Sequence, residues 1–316
     1  MNKGNEKIKR LIEVAKLYYE QDKTQSEIAK MYDVSRPLVS RMLKEAKDMG
    51  IVRIEICQPS DGNQVILNQV RGTYRIYGGV IVPNKGSESE TNQSLVTSAL
   101  DYMKALNQHH YGIGWGNIIG QMVSVLEKRE PEAGIADDIC PLLGNSGVSN
   151  RNYHSNELVR IFAEGTGARP EYLYAPALAA TEAELKLIRE LENFKTVFEA
   201  WSHLDVAVVN IGNYPSSPDF ASVARYGDVL KKDKAVGRLL NYFYDVNGNI
   251  FYSDMDYAIQ IPLELLARTQ HVVGIAASNI HRKALLGAMR TGVFQHIIAP
   301  ENQMKEALEI ENVTLN

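Results

Sequence analysis

Arg36, Ser40, Arg41, Lys44 and Lys47 recur at intervals of one, three and four residues, a spacing that gathers them on one side of an α-helix. Side chains of these types can read a nucleic-acid duplex. Polar groups at the first turn of a helix reach base edges in the major groove, and Lys and Arg beside them neutralise phosphates. With Gln25, Ser35, Pro37 and Arg53 they form the candidate DNA-contacting set. The expected partner is double-stranded operator DNA.

A second set carries amides, hydroxyls and glycines instead of charge. In Gly112-Ile113-Gly114-Trp115-Gly116-Asn117 three glycines alternate where a strand should become a helix. Such a turn lets the backbone approach a ligand closely and offers helix amides to an anion. It lacks the final glycine of the GxGxxG dinucleotide pattern. Trp115 either stacks on a sugar or fills the core. Asn145 and Ser146 in a Gly/Ser/Asn loop, Asn213 in Gly-Asn-Tyr-Pro-Ser-Ser-Pro, and Asn279 and His281 in Ala-Ser-Asn-Ile-His-Arg-Lys complete the candidate ligand set.

Catalytic spacing is missing. Asp137, Asp138, Glu157, Glu164, Asp205 and His281 are scattered, and His109-His110 is placed at a helix end with no carboxylate signature beside it. There is no HExxH, and Cys57 and Cys140 make no metal or disulfide pattern. A small molecule is therefore expected to be read and not converted, with no cofactor or metal. A sugar-phosphate isomerase-like enzyme and a protein-interaction module that binds no DNA are the alternatives.

These residues need elements to hold them. Ile8, Leu11, Ile12, Ala15 and Tyr18 or Tyr19 predict a first helix over 6–20. Thr24-Gln25-Ser26-Glu27 is a capping box that opens a second helix through Ile28, Ala29 and Met31. After a tight Tyr32-Asp33-Val34 connection, Ser35 caps a third helix over 35–49, with Leu38, Met42, Leu43 and Ala46 on its buried side; Pro37 is tolerated in the first turn. Gly50 ends it, and Ile51 to Ile56 alternates as a strand or wing. Through Ile56 the chain holds three more Lys and Arg than Asp and Glu, against a net −4 for the whole. Affinity for phosphate is thus concentrated in this first segment.

Pro59-Ser60-Asp61-Gly62 marks a break, followed by a helical stripe of Val65, Ile66, Val70 and Tyr74. The expected division is a winged helix-turn-helix over 1–58, a linker with a possible oligomerisation helix over 59–78, and an effector domain over 79–316. In the last, strand runs at 111–113, 135–143, 173–175, 205–212 and 272–276 alternate with helical patterns, predicting an α/β doubly wound parallel sheet. Ligands in such sheets sit at the C-terminal strand ends. No apolar run reaches membrane-spanning length and the N-terminus is charged, so a cytoplasmic protein with no membrane partner is expected.

The stretch TQSEIAKMYDVSRPLVSRMLKEAKDMGIVRIEI, with LYAPAL at 173–178 and VVGIAASNIHRKALLGAMRTGVFQHII, resembles the SorC/DeoR sugar-responsive bacterial transcription regulators. The resemblance implies a winged helix-turn-helix joined to a sugar-phosphate isomerase-like α/β domain, assembly as a homodimer or homotetramer, and a carbohydrate or carbohydrate-phosphate effector. It also marks departures. Ala277-Ser278 stands where the family has two glycines, and His281 where it has a phosphate-contacting lysine. Asn117 and Ile118 replace small hydroxyl residues. Leu143 occupies the position of a Schiff-base lysine found in some members, and Arg238 stands where an acidic residue is more usual.

Overall fold

The computed structural model describes residues 3–19, 21, 23–49, 51–52, 61–128, 134–216 and 225–314. The chain divides into two units, Met1–Pro59 and Ser60–Asn316. Expectations for Gly50, the wing beyond Val52, Arg53, Cys57 and the Pro59-Ser60 break fall outside the described residues.

The first unit contains α1 (Lys3–Tyr19), α2 (Gln25–Met31) and α3 (Arg36–Asp48). Thr24 and Glu27 form the expected reciprocal cap: the Glu27 amide donates to Thr24 Oγ1 at 3.3 Å and the Thr24 amide to Glu27 Oε2 at 2.8 Å. These bonds hold the Glu27 carboxyl below its ordinary range. Asp33 takes a left-handed φ of 50° in the turn between α2 and α3, which tightens the connection. The small core is built from Val14, Ile28, Ala29, Val39 and Leu43, with a second patch of Leu11, Ala15 and Ala46 against which Ile51 and Val52 pack.

Several expected core positions are displaced along these helices. Ile8 and Ile12 of α1 are exposed and Val14 is buried in their place; Leu38 of α3 is exposed while Val39 is fully buried; Met31 of α2 is exposed. At about 100° per residue, Val39, Met42, Leu43 and Ala46 span roughly 100° of α3, an arc that Leu38 lies outside. Ser35 occupies the N-cap of α3, but only its carbonyl is used, accepting from the Val39 amide at 3.3 Å.

In the second unit α4 (Asp61–Thr73) leads into β1 (Gly78–Val82), α5 (Glu88–Leu106), β2 (His110–Ile113), α6 (Asn117–Leu126) and β3 (Asp138–Pro141). Next come α7 (Ser155–Thr166), β4 (Arg169–Pro170), α8 (Glu182–Glu190), α9 (Glu192–Ser202), β5 (Val206–Asn213) and α10 (Val229–Lys232). The chain ends with β6 (Gly237–Leu239), β7 (Tyr242–Tyr244), α11 (Leu263–Arg268), β8 (His271–Ala276), α12 (Arg282–Arg290), β9 (His296–Pro300) and α13 (Glu301–Thr314). Helix α4 is integral to this unit, with Ile66, Leu67 and Val70 in the main core and Val65 exposed. Leu173 to Ala175 joins no ladder: Asn145 and Asn156 side chains hold the Leu173 carbonyl at 3.2 and 3.1 Å, and the edge strand is the shorter β4.

The strands are ordered β1-β9-β8-β5-β2-β3-β4, all parallel, with the antiparallel β6–β7 hairpin added to the end of β5. Strands β2, β3 and β4 step one way and β5, β8 and β9 the other, so the direction reverses between β2 and β5. With right-handed crossovers, that reversal puts α5, α6 and α7 on one face and α9, α11 and α12 on the other, and α13 packs against α12. The inner strands are buried on both sides, as the continuous runs Val206 to Val209 and Val272 to Ala276 require. A crevice must open where the order reverses, at the C-terminal ends of β2 and β5.

Candidate functional site

In the first unit Ser35, Arg36, Pro37, Ser40, Arg41, Lys44 and Lys47 are all exposed, and Gln25 is half-exposed at the start of α2. The structure brings these expected residues together on and beside the face of α3 opposite its core. Lys47 lies over the Tyr19 ring, 5.8 Å from its centre, and Glu45 is paired with Lys7. A surface hollow of about 530 Å³ is lined by Tyr18, Tyr19, Lys23, Thr24, Gln25, Ser26 and Arg36. Backbone amides at the start of α2 and the Lys23 and Arg36 side chains give it the character of an anion seat.

In the second unit a cavity of about 300 Å³ occupies the crevice beside β5. Its wall is made by Asn117 and Ile118 of α6, Tyr153, Asn210 to Asn213 of β5, Pro215, Ser216, Arg238 of β6, and Ala277, Asn279 and Ile280 after β8. The volume is at the lower end of the range for small-molecule clefts. Asn213 acts as a clamp: its Nδ2 donates to the Asn279 carbonyl at 3.1 Å and its Oδ1 accepts from the His281 amide at 2.8 Å. Asn117 Oδ1 accepts from Asn152 Nδ2 at 3.3 Å. By contrast the Asn210 side chain makes no hydrogen bond among the described residues, and Ser216 Oγ is buried without a partner. Leaving the buried Ser216 hydroxyl in that state is costly unless a ligand or water completes it, and Asn210 is half-buried on the same wall.

Of the expected ligand set, Asn117, Asn213 and Asn279 line this cavity. The glycines serve packing. A Cβ at Gly112 would lie 2.4 Å from Leu142 Cδ2, one at Gly114 3.0 Å from Leu240 Cδ2, and one at Gly116, where φ is +120°, 2.8 Å from Asn210 Nδ2. Trp115 is buried edge-on to Tyr153, with ring centres 5.9 Å apart, so Tyr153 is the aromatic residue on the cavity wall. Asn145 and Ser146 are engaged in the backbone network: the Asn145 amide donates to the Ala175 carbonyl and the Ser146 amide to that of Tyr153. His281 and Lys283 are exposed and absent from the lining. Leu143 is fully buried in the core.

The sequence reading missed Asn210 and Tyr153 as wall residues, and it held Ser216 only as part of the loop that carries Asn213. Asn210 carried one signal, a polar residue interrupting the run Val206 to Ile211.

The β6–β7 hairpin that carries Arg238 has its own support. Arg225, almost fully buried, pairs with Asp256, and the Tyr226 hydroxyl donates to Asp256 Oδ2 at 3.2 Å. Tyr226, Leu230 and Phe243 form a local core beneath them. Burial pushes the Tyr226 hydroxyl well above its ordinary value, with Asp256 adding to the effect.

A second cavity of about 330 Å³ lies at the opposite strand ends, lined in part by His110, Asp138, Arg169, Glu171 and His203. Its central carboxylate is already satisfied: Asp138 accepts from Arg169 at 2.7 and 3.0 Å and pairs with His110 at 3.0 Å. His109 pairs likewise with Asp137 at 2.9 Å, so the histidine pair has the carboxylate partners that its sequence neighbourhood lacked. These contacts tie the start of β2 to that of β3. Among the described residues no group of three or more His, Cys, Asp or Glu is arranged to hold a metal ion. None of the described helices is long and apolar enough to cross a membrane.

Residues 61–309 match a family model described as a putative sugar-binding domain. The sorbitol operon regulator of Klebsiella pneumoniae is 29% identical over 297 residues, covering 90% of this chain and 93% of its own. The deoxyribonucleoside regulator of Bacillus subtilis is 24% identical, with 94% and 96% covered. The crystal structure of the full-length Klebsiella regulator superposes with a TM-score of 0.82 at 25% identity over 95% of this chain and 98% of that one. These relatives are regulators along the length they share with this chain, and the chain is likewise a regulator and not an enzyme. A parallel sheet with a cavity at its point of reversal, a helical N-terminal unit and a sugar-binding domain match over most of the chain place this protein in the SorC/DeoR family of metabolite-responsive, DNA-binding transcription regulators.

Proposed function

We propose that residues 1–58 bind operator DNA by laying the helix over 35–49 in the major groove, and that a sugar, polyol or phosphorylated derivative binds in the cavity beside β5. On this reading the effector domain is the second unit from Ser60 onward, and α4 belongs to its core instead of forming a separate linker over 59–78. Arg36, Ser40 and Arg41 face base edges, while Lys44, Lys47 and Arg53 meet phosphates. The observation that carries the effector half is a cavity wall that gathers Asn117, Asn210, Asn213, Asn279, Ser216 and Tyr153, with the Ser216 hydroxyl buried and unpartnered among the described residues. Neutral amides and hydroxyls both donate and accept, which is what a polyhydroxylated molecule needs. Two of the relatives are named for sorbitol and for deoxyribonucleosides, and both names point to polyhydroxylated compounds.

Operator recognition needs two reading helices spaced by a turn of DNA, so the working form is a homodimer or a homotetramer, acting in the cytoplasm with the chromosome. The test is fluorescence anisotropy on a labelled duplex from the region upstream of the protein's own operon, with Arg36→Glu and Arg41→Glu as variants. Each reversal is expected to weaken specific binding at least tenfold at fixed salt without changing the fold. Unaltered affinity in both would remove α3 from the interface. A thermal-shift screen of sugars, polyols and their phosphates, followed by anisotropy with each hit, identifies the effector.

A further inference from the structure

We propose that Asn92 is a positioning residue for regulation: it passes the state of the cavity loop after β8 to α5, and through it to α4, the first helix after the boundary between the two units. The inference rests on the placement of the effector in the cavity beside β5.

The loop starts at the cavity. Ala277, Asn279 and Ile280 stand on its wall, and the Ile280 amide donates to the Ala277 carbonyl at 3.0 Å, closing a tight turn. Two asparagines from different elements hold that turn. Asn213 of β5 clamps it through the Asn279 carbonyl and the His281 amide. From α5, Asn92 Oδ1 accepts from the Ser278 amide at 2.8 Å, and the Glu88 carbonyl accepts from the Ser278 hydroxyl at 3.3 Å. Ser278 is buried, so breaking its bond to Asn92 would strand an amide away from water. Asn92 itself does not line the cavity.

The contacts continue beyond α5. Thr91, buried beside Asn92, accepts from the Lys85 amide and donates to the Ser87 carbonyl, both at 2.9 Å. These bonds seat the segment that joins β1 to α5. At the end of β1 the Ile81 carbonyl accepts from Asn63 Nδ2 of α4 at 2.9 Å. Helix α4 begins at Asp61, and the division between the units falls at Pro59–Ser60. Asn63 Oδ1 is buried without a partner among the described residues. A joint with one of its two polar groups unpaired is raised in energy, which brings a second arrangement of α4 within reach. Ligand contacts that favour one position of the turn then favour one arrangement of α4, because packed and hydrogen-bonded elements lie between them.

A double-mutant cycle on duplex affinity tests this, by anisotropy with the full-length protein, the labelled upstream duplex and no small molecule. Asn213→Ala frees the turn from β5 and is expected to change the duplex Kd about fivefold or more. With Asn92→Leu already present, the same change should move Kd by less than about twofold, since the turn no longer pulls on α5. Asn92→Asp keeps an acceptor for the Ser278 amide and should restore the response. Asn63→Leu, a cut at the far end of the same chain, should abolish it again, and it replaces Asn92→Leu if melting curves show that protein unfolded. A purely structural Asn92 would lower the melting temperature of its leucine variant and leave the response to Asn213→Ala intact. That result, or a wild-type Kd in Asn213→Ala, would overturn the proposal. No effector enters the cycle, so the placement of the site fails separately: sorbitol, sorbitol 6-phosphate or deoxyadenosine would then stabilise wild type and Asn210→Leu equally in a thermal-shift assay.

Discussion

Gly116→Ala separates packing from ligand reading in the loop after β2. Gly116 sits at φ 120° and ψ 170°, a region essentially reserved for glycine, so alanine there carries about 1–3 kcal/mol of strain. Its Cβ would also stand 2.8 Å from Asn210 Nδ2. Since the Asn210 amide is held by no hydrogen bond among the described residues, it can turn aside at little cost. Backbone strain then dominates the stability effect, and loss of Asn210 from the cavity wall dominates the functional one. For a unit of this size each kcal/mol corresponds to about 2–4 °C, so the melting temperature should fall by roughly 2–12 °C. Losing one neutral hydrogen bond should weaken effector binding about two- to tenfold. Gly114→Ala is the control. Its Cβ meets a terminal methyl of Leu240 at 3.0 Å, its φ is not positive, and it lines no part of the cavity, so effector affinity should be retained. Differential scanning fluorimetry and calorimetry on both variants decide the matter. A Gly116→Ala protein that melts with the wild type, or a Gly114→Ala protein that alone loses affinity, refutes the reasoning.

Replacing Arg225 with Met leaves Asp256 without its cation in a largely buried setting and should cost about 3–5 kcal/mol, seen as a lower urea midpoint; a change under about 1 kcal/mol would show that the pair does not seat the β6–β7 hairpin. His296 lies between the Tyr102 hydroxyl at 2.7 Å and His271 Nδ1 at 2.8 Å. Burial, then His271 and Arg71, lower its pKa from 6.5 to about 4. The unfolded chain accepts a proton that the native one refuses, so this stability is complete above pH 6.5 and lost as pH falls towards 4, on the order of 2–3 kcal/mol after allowance for screening. Melting temperatures measured across that window should converge for wild type and His296→Asn, and parallel curves would contradict the assignment. Lys44→Ala, which removes an exposed cation on the reading face, should weaken binding evenly across duplex sequences and lower the salt slope by about one; a change confined to one sequence would make Lys44 a base reader instead.

Local chemistry was the most legible layer of the sequence. Thr24 and Glu27 announced their helix because a capping box is complete within four residues. The buried strands at 206–209 and 272–276 declared themselves because parallel strands covered on both faces are continuously apolar. Which of two adjacent apolar residues points inward is a tertiary decision, and there the reading slipped by one or two positions, choosing Leu38 over Val39 and Ile12 over Val14. The Gly112 to Asn117 turn ends at the cavity, with Asn117 on its wall, and Cβ atoms added at its glycines would meet Leu142, Leu240 and Asn210. The closeness of Asn210 to Arg238 and the pairing of His109 and His110 with Asp137 and Asp138 depend on which strands are neighbours. Strand order is not written in any local window, so those contacts stayed hidden until the sheet was assembled.

We propose that effector occupancy beside β5 and operator affinity at α3 are two ends of one equilibrium. The most direct measurement determines the duplex Kd of the full-length protein with and without saturating effector, and the effector Kd with and without saturating duplex. Linkage requires the two ratios to be equal, and a regulator of this kind should show a common factor of about 5–150. A factor of one in both directions, with each ligand still binding, would mean that the two units work independently and that the account is wrong.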